Sequence, residues 1–261
     1  FLLNSGRYVL ANGIPHTEPF TLHKGLAFVM QQWLSGVVFW SVYATAGEFG
    51  LNLLIMLCLM LIVLLMYRLC MTASEGNFVV SFTVAITFCV FASFFITQRP
   101  IVFTLIIVLT ELYILESFVR NQSLKCLYIL PLLSTIQINL HAAMWPLLFI
   151  VLLPYIVESF SFKIGAFCNK GYVKKWFPIC FILMILAGFL NPYGTEAMTY
   201  LVRSYGHPEI SNSIIEMRSP DINSGLGLFI YLGLSVVLSP YLFFAEDVQR
   251  LGIFYLLLGH Y

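Results

Sequence analysis

The side chains in this chain that could move a proton or hold an anion are few, and they cluster. His16 and Glu18 stand two apart in a loop stiffened by Pro15 and Pro19. This pair can act as general acid, general base or metal ligand toward a substrate. A solvated loop built from turn residues has the same pattern. Gln98 and Arg99 lie in Thr97-Gln98-Arg99-Pro100, with almost no loop between two apolar runs. An arginine that close to a membrane core is costly without a partner. Its fork suits a lipid-linked phosphate, and snorkelling to headgroups is the plainer use. Gln137, Asn139 and His141 form a third group, with Gln137 and His141 on one helix face. Such groups face a wet cavity or the bundle interior, or bond between helices. No second ligand at helical spacing accompanies His141, so a metal there has little support. Glu111 stands in the middle of an apolar run, as a proton-relay group or a hydrogen-bonded structural acid. Glu216 and Arg218 are two apart in IIEMRSPD, and an extended segment puts both on one face. The apolar residues around them favour a loop folded over a cavity.

The elements that must position these groups are lipid-soluble. The chain is 60% hydrophobic and 10% charged, with apolar stretches of roughly 20 residues repeating along it. Backbone groups in lipid must pair internally, so the expected fold is all-α, a polytopic transmembrane helical bundle. Spans are expected over 50–67, 77–96, 101–119, 126–139, 144–158, 176–190 and 224–244, with a further one from Leu251. Spans 126–139 and 144–158 form a hairpin with its tip at 140–143. Gly6–Leu10 reads as part of a short surface helix ended by Asn12-Gly13. Thr195–Arg203 reads as an amphipathic surface helix with Thr195 as N-cap. Phe28–Ala44, with its Gln31-Gln32 pair and Trp33 and Trp40 a heptad apart, reads as a helix lying in the interface.

Charge supports that choice. If Phe28–Ala44 does not cross, eight Lys/Arg residues fall in short loops on one side and five in long loops on the other. The dense side is cytoplasmic by the positive-inside rule, which puts His16, Glu18, Arg99 and His141 at the external face. A net charge of +1 argues against nucleic acid as a partner. None of the six cysteines forms a C-x-x-C, and they read as small apolar residues or reduced thiols. The whole of 1–261 is read as a single membrane domain. It begins at Phe1 in a polar loop and stops in an apolar run, so a longer protein is expected, with a first span missing.

The order of short motifs is familiar. A surface helix ends in GRYVLANG-IP; then come TEPF, QQWLSGVVFW, GEFGL, QRP, INLHAAMW, LNPYG and IIEMRSP. In this order the chain resembles the polyprenol-phosphate-dependent membrane glycosyltransferases of the GT-C class, and a broad group of bacterial multi-pass proteins of that type. The resemblance covers nearly all of the chain, although each motif is short. It implies interfacial helices in the first external loop and a catalytic Asp just before Phe1. It implies a role for Glu18 near the acceptor or a divalent metal, with His16 beside it. Gln98, Arg99, Asn139, His141, Glu216 and Arg218 are then substrate-binding residues, the two arginines on the carrier phosphate. The implied partners are membrane lipids and a polyprenyl-phosphate-linked sugar donor at the external or periplasmic face of the cell membrane. Two rivals stand beside it: a secondary transporter using Glu111 with His141, and a non-catalytic protein that binds a lipid carrier.

Overall fold

The computed structural model describes residues 1–22, 24–93, 96–121, 127–160, 162–164, 167–169, 176–205, 223–225, 227–228 and 231. Arg218 and Glu216 lie outside the described residues, as do most of 224–244 and all of the run from Leu251. The chain divides into two compact units. One is Phe1–Leu152 with Pro178–Leu201, and the other is Leu153–Phe177 with Val202–Tyr261. In the second, β1 (Phe162–Ile164) and β2 (Phe167–Asn169) form an antiparallel hairpin with Lys163 opposite Cys168.

Among the described residues the helices are α1 (Leu2–Asn12), α2 (Trp33–Ala73), α3 (Phe78–Ser93), α4 (Ile101–Asn121), α5 (Ile129–His141), α6 (Pro146–Ser159), α7 (Trp176–Gly188), α8 (Thr195–Met198) and α9 (Tyr200–Tyr205). Two of them, α2 and α4, are long and apolar enough to cross a membrane. The number rises to three if α5 and α6, bent by 114° at the hairpin tip, count as one broken span. α3 and α7 are shorter apolar helices.

α1 ends where its sequence says it should: Gly13 takes φ 82° and donates its N–H to the Val9 carbonyl, the left-handed stop that glycine tolerates. Its buried residues Ser5, Gly6 and Val9 fall on one stripe and pack on α2. α2 differs from expectation at both of its boundaries. It begins at Trp33 rather than Phe28, because the Phe28 N–H donates to the His16 carbonyl 3.0 Å away and Thr17 pairs with Ala27. The backbone of the preceding residues is held extended by the first loop. The helix then runs to Ala46 and breaks at Gly47, with φ 60° and ψ −151°. That conformation is open only to glycine. The break separates the tryptophan-bearing arm from the apolar arm, three residues past the boundary expected at Ala44.

The second arm ends in the turn Ser74–Asn77, where Glu75 and Gly76 both have positive φ. Asn77 caps α3, its Oδ1 accepting the Val80 N–H at 3.1 Å. From α4, Arg120 donates to the Ala73 carbonyl at 2.9 Å and lies 3.8 Å from Glu75. A cation at a helix C-terminus is favourable. The far end of α4 and the α2–α3 turn therefore share one end of the first unit, about 30 Å along α4 from its start.

The centre of this unit is Phe39, Leu51, Cys58 and Ile62 of α2 against Val102 and Leu109 of α4. In lipid such a core gains by close packing rather than by release of water. Cys58, Cys70, Cys89 and Cys180 are free thiols.

Candidate functional site

Where α4 begins, four segments far apart in sequence meet. α5 ends at His141, a 3-10 turn spans Ala142–Met144, and α6 opens at Pro146. Amides at such a turn have no helical acceptor of their own. Gln31 supplies both acceptors: its carbonyl takes the Ala142 N–H at 2.8 Å and its Oε1 takes the Ala143 N–H at 3.3 Å. Two residues on, the Trp33 Nε1–H donates to Asn139 Oδ1 at 3.0 Å. The buried Ser35 hydroxyl donates to the Leu140 carbonyl at 2.7 Å. The QQWLS segment is thus sewn to INLHAA.

Asn139 also ties the hairpin to the end of α7. Its Nδ2 donates to the Thr135 and Leu190 carbonyls, both at 2.8 Å. Both of its amide protons and one acceptor position of its oxygen are used inside the protein. At the next turn, Asn191 orders LNPYG by donating to the Gly188 and Gly194 carbonyls and accepting the Tyr193 N–H. Gly194, with φ 55°, is the N-cap of α8, and Thr195 is its first residue. The cap expected at Thr195 falls one residue earlier because only glycine takes that backbone angle without strain. The helix expected over 195–203 is also interrupted at Thr199.

The first loop is latched to this turn. The buried Tyr193 hydroxyl donates to the Pro15 carbonyl at 2.9 Å, and the exposed His16 ring stands edge-on to the Tyr193 ring at 5.2 Å. Burial pushes the Tyr193 phenol above its ordinary range, so the latch stays a proton donor in mildly alkaline solution. Glu18, half-buried, accepts the Phe20 N–H on Oε1 at 2.8 Å and so closes its own turn.

His141 lies beneath, on the α4 side. Its Nδ1 is 3.1 Å from the Thr104 hydroxyl. That hydroxyl also accepts from Gln137 Nε2 at 3.1 Å, so Thr104 joins the two side chains. Gln137 is fully buried, and its Oε1 has no hydrogen-bond partner. Arg99 and Gln98 occupy the exposed turn five and six residues before Thr104, with Gln98 donating to Asn52 at 3.1 Å.

The structure therefore brings His16, Asn139 and His141 into one polar cap, and places Gln98 and Arg99 at the start of the helix that carries Thr104. Gln31, Ser35, Thr104 and Tyr193 were not recognised from sequence as members of it. Thr104 had one signal, its position seven residues before Glu111 on the same face of α4. A groove of about 610 Å3 opens beside the cap, walled by Trp33, Leu34, Ile136, Phe189 and Pro192, with Asn139 and Asn191 at its edge. Among the described residues no three His, Cys, Asp or Glu side chains gather as metal ligands would.

Comparison with protein-family models, with curated proteins and with solved structures finds no match. The helices long enough to cross a membrane and the geometry of the cap are what bear on function.

Proposed function

We propose that this chain is the membrane-embedded part of a GT-C-like glycosyltransferase, which moves a sugar from a polyprenyl-phosphate carrier to an acceptor at the external face of the cell membrane. The observation that supports this reading is the convergence of the cap. Segments IPH, QQWLS, INLHAA and LNPYG, separated by up to 178 residues, are bonded to one another at one end of the first unit. In this reading a carboxylate orients the acceptor hydroxyl, and cations stabilise the departing lipid phosphate. His16 and Glu18 sit on the latched loop, and Arg99 on the turn leading into α4, at the cap's margin. A sugar phosphate at a polar cap with its lipid tail along an apolar groove suits the two surfaces found side by side.

Two measurements test it. The full-length protein, reconstituted with polyprenyl-phosphate-linked sugars, should transfer sugar. Arg99→Ala should slow transfer by about 10- to 100-fold, the worth of a charge-assisted hydrogen bond. Arg99→Lys should recover only part, since a point charge replaces a fork. Full activity in Arg99→Ala removes the arginine from the site, and no transfer from any such donor removes the reading.

The orientation has its own check. With the native cysteines replaced by alanine, a cysteine at exposed Asn12 should react with an impermeant maleimide on intact cells, and one at exposed Glu75 should not. The reverse pattern turns the cap to the cytoplasm and excludes an external active face.

A further inference from the structure

α4 carries a carboxylate that sugar transfer leaves unused. Glu111 is at the middle of the helix, ten residues from Ile101 and ten from Asn121. Its side chain is fully enclosed, and neither carboxylate oxygen has a hydrogen-bond partner. Among the described residues the ion pairs formed are those of Arg120 with Glu75 and Glu116, and none reaches Glu111.

α4 packs against α2 and α5. The titratable and charged side chains of α2 are Tyr43, Glu48, Cys58, Tyr67, Arg68 and Cys70, and that of α5 is His141. None of them bonds to Glu111. Thr104 lies seven residues earlier on the same α4 face, so the Thr104–His141 pair stands about 10 Å away along the axis. An ionised carboxylate enclosed in this way has lost its water and gained no donor, which is costly. A neutral carboxylic acid avoids most of that.

We propose that Glu111 is an intramembrane proton-binding site. The carboxylate takes up one proton, forming a single O–H bond and losing its charge, and returns it by the reverse step. The site is independent of whether the cap transfers sugar.

The test is chemical. Dicyclohexylcarbodiimide is lipid-soluble and attacks carboxylic acids in their protonated form, leaving a stable N-acylurea. With the full chain in lipid vesicles at pH 7, fragment mass spectrometry should find the adduct on Glu111 at several-fold the yield on Glu75, whose side chain is 87% exposed. The yield should fall as the pH is raised, and the adduct should vanish in Glu111→Gln while a water-soluble carbodiimide reverses the preference. If Glu111→Gln does not fold, the pattern of labelling on the natural chain decides alone. Labelling of Glu116 in place of Glu111, or a Glu111 that reacts only in acid, means an ionised and partnered carboxylate and overturns the proposal.

Discussion

Replacing Asn139 with leucine should destabilise the first unit. Leucine keeps the branched shape of asparagine but none of its hydrogen-bonding groups. Asn139 accepts from Trp33 and donates to the carbonyls of Thr135 and Leu190. Thr135 keeps its helical partner, but the indole N–H and the Leu190 carbonyl are left without one. Both bonds are only partly buried, and a hydrogen bond of this kind is worth about 0.5–1.5 kcal/mol, so the expected loss is roughly 1–3 kcal/mol, out of a typical total of about 5–15 kcal/mol. Thermal unfolding of the purified protein in detergent reads it. Trp33→Phe in the same chain should relieve part of the loss, because removing both partners costs less than removing one. A shift under about 0.5 kcal/mol, or full additivity of the two changes, would show that this strut does not hold the hairpin.

Gly6→Ala should also destabilise, against the usual sign. Inside a helix, alanine in place of glycine is ordinarily favourable by about 0.5–1 kcal/mol. Here α1 crosses the first arm of α2 at Gly6 and Gly36, backbone against backbone. A methyl group on Gly6 would overlap the Gly36 carbonyl and stand 2.9 Å from Trp40 Cβ. The obstacle is main chain, so no rotamer relieves it, and α1 must lift away at a cost of about 1–3 kcal/mol or more. Arg7, whose guanidinium lies 5.7 Å over the Trp40 ring, would move with it. Tryptophan emission and amide exchange across 2–12 should both change. Leu10→Ala, at a position 58% exposed, is the control that leaves the crossing intact. Unchanged exchange in Gly6→Ala would mean that α1 is not docked on α2 through this contact.

The two substitutions act on the same device. The first loop and the QQWLS segment hold no hydrophobic core of their own. They are fixed by α1 beneath them, by the Tyr193 latch beside them and by the hairpin tip. Loosening either attachment lets the loop that carries His16 and Glu18 move relative to the hairpin tip. Under the proposed function, each change should lower transfer even though neither residue is expected to touch the donor phosphate.

How much of this was legible in the sequence follows from the range of each force. The helices were legible because hydrocarbon solvent leaves the backbone one local solution. The run expected over 101–119 is α4 at Ile101–Asn121, and the hairpin expected over 126–139 and 144–158 is α5 and α6. The stop at Asn12-Gly13 was legible for the same reason, since a left-handed glycine acts within its own turn. That Arg120 meets the α2–α3 turn agrees with the alternation of spans used in counting charges. The first residues of α2 were not legible, because what unwinds 28–32 is a bond from Phe28 to His16 across the loop. Nor was the role of Asn139, whose partner Trp33 is 106 residues away, or the crossing at Gly6 and Gly36. Periodicity and hydropathy record which face a residue turns and whether it prefers lipid. They carry nothing about which distant backbone or side chain meets it there. That was decided only in the tertiary structure, where buried donors and acceptors had to find one another without water.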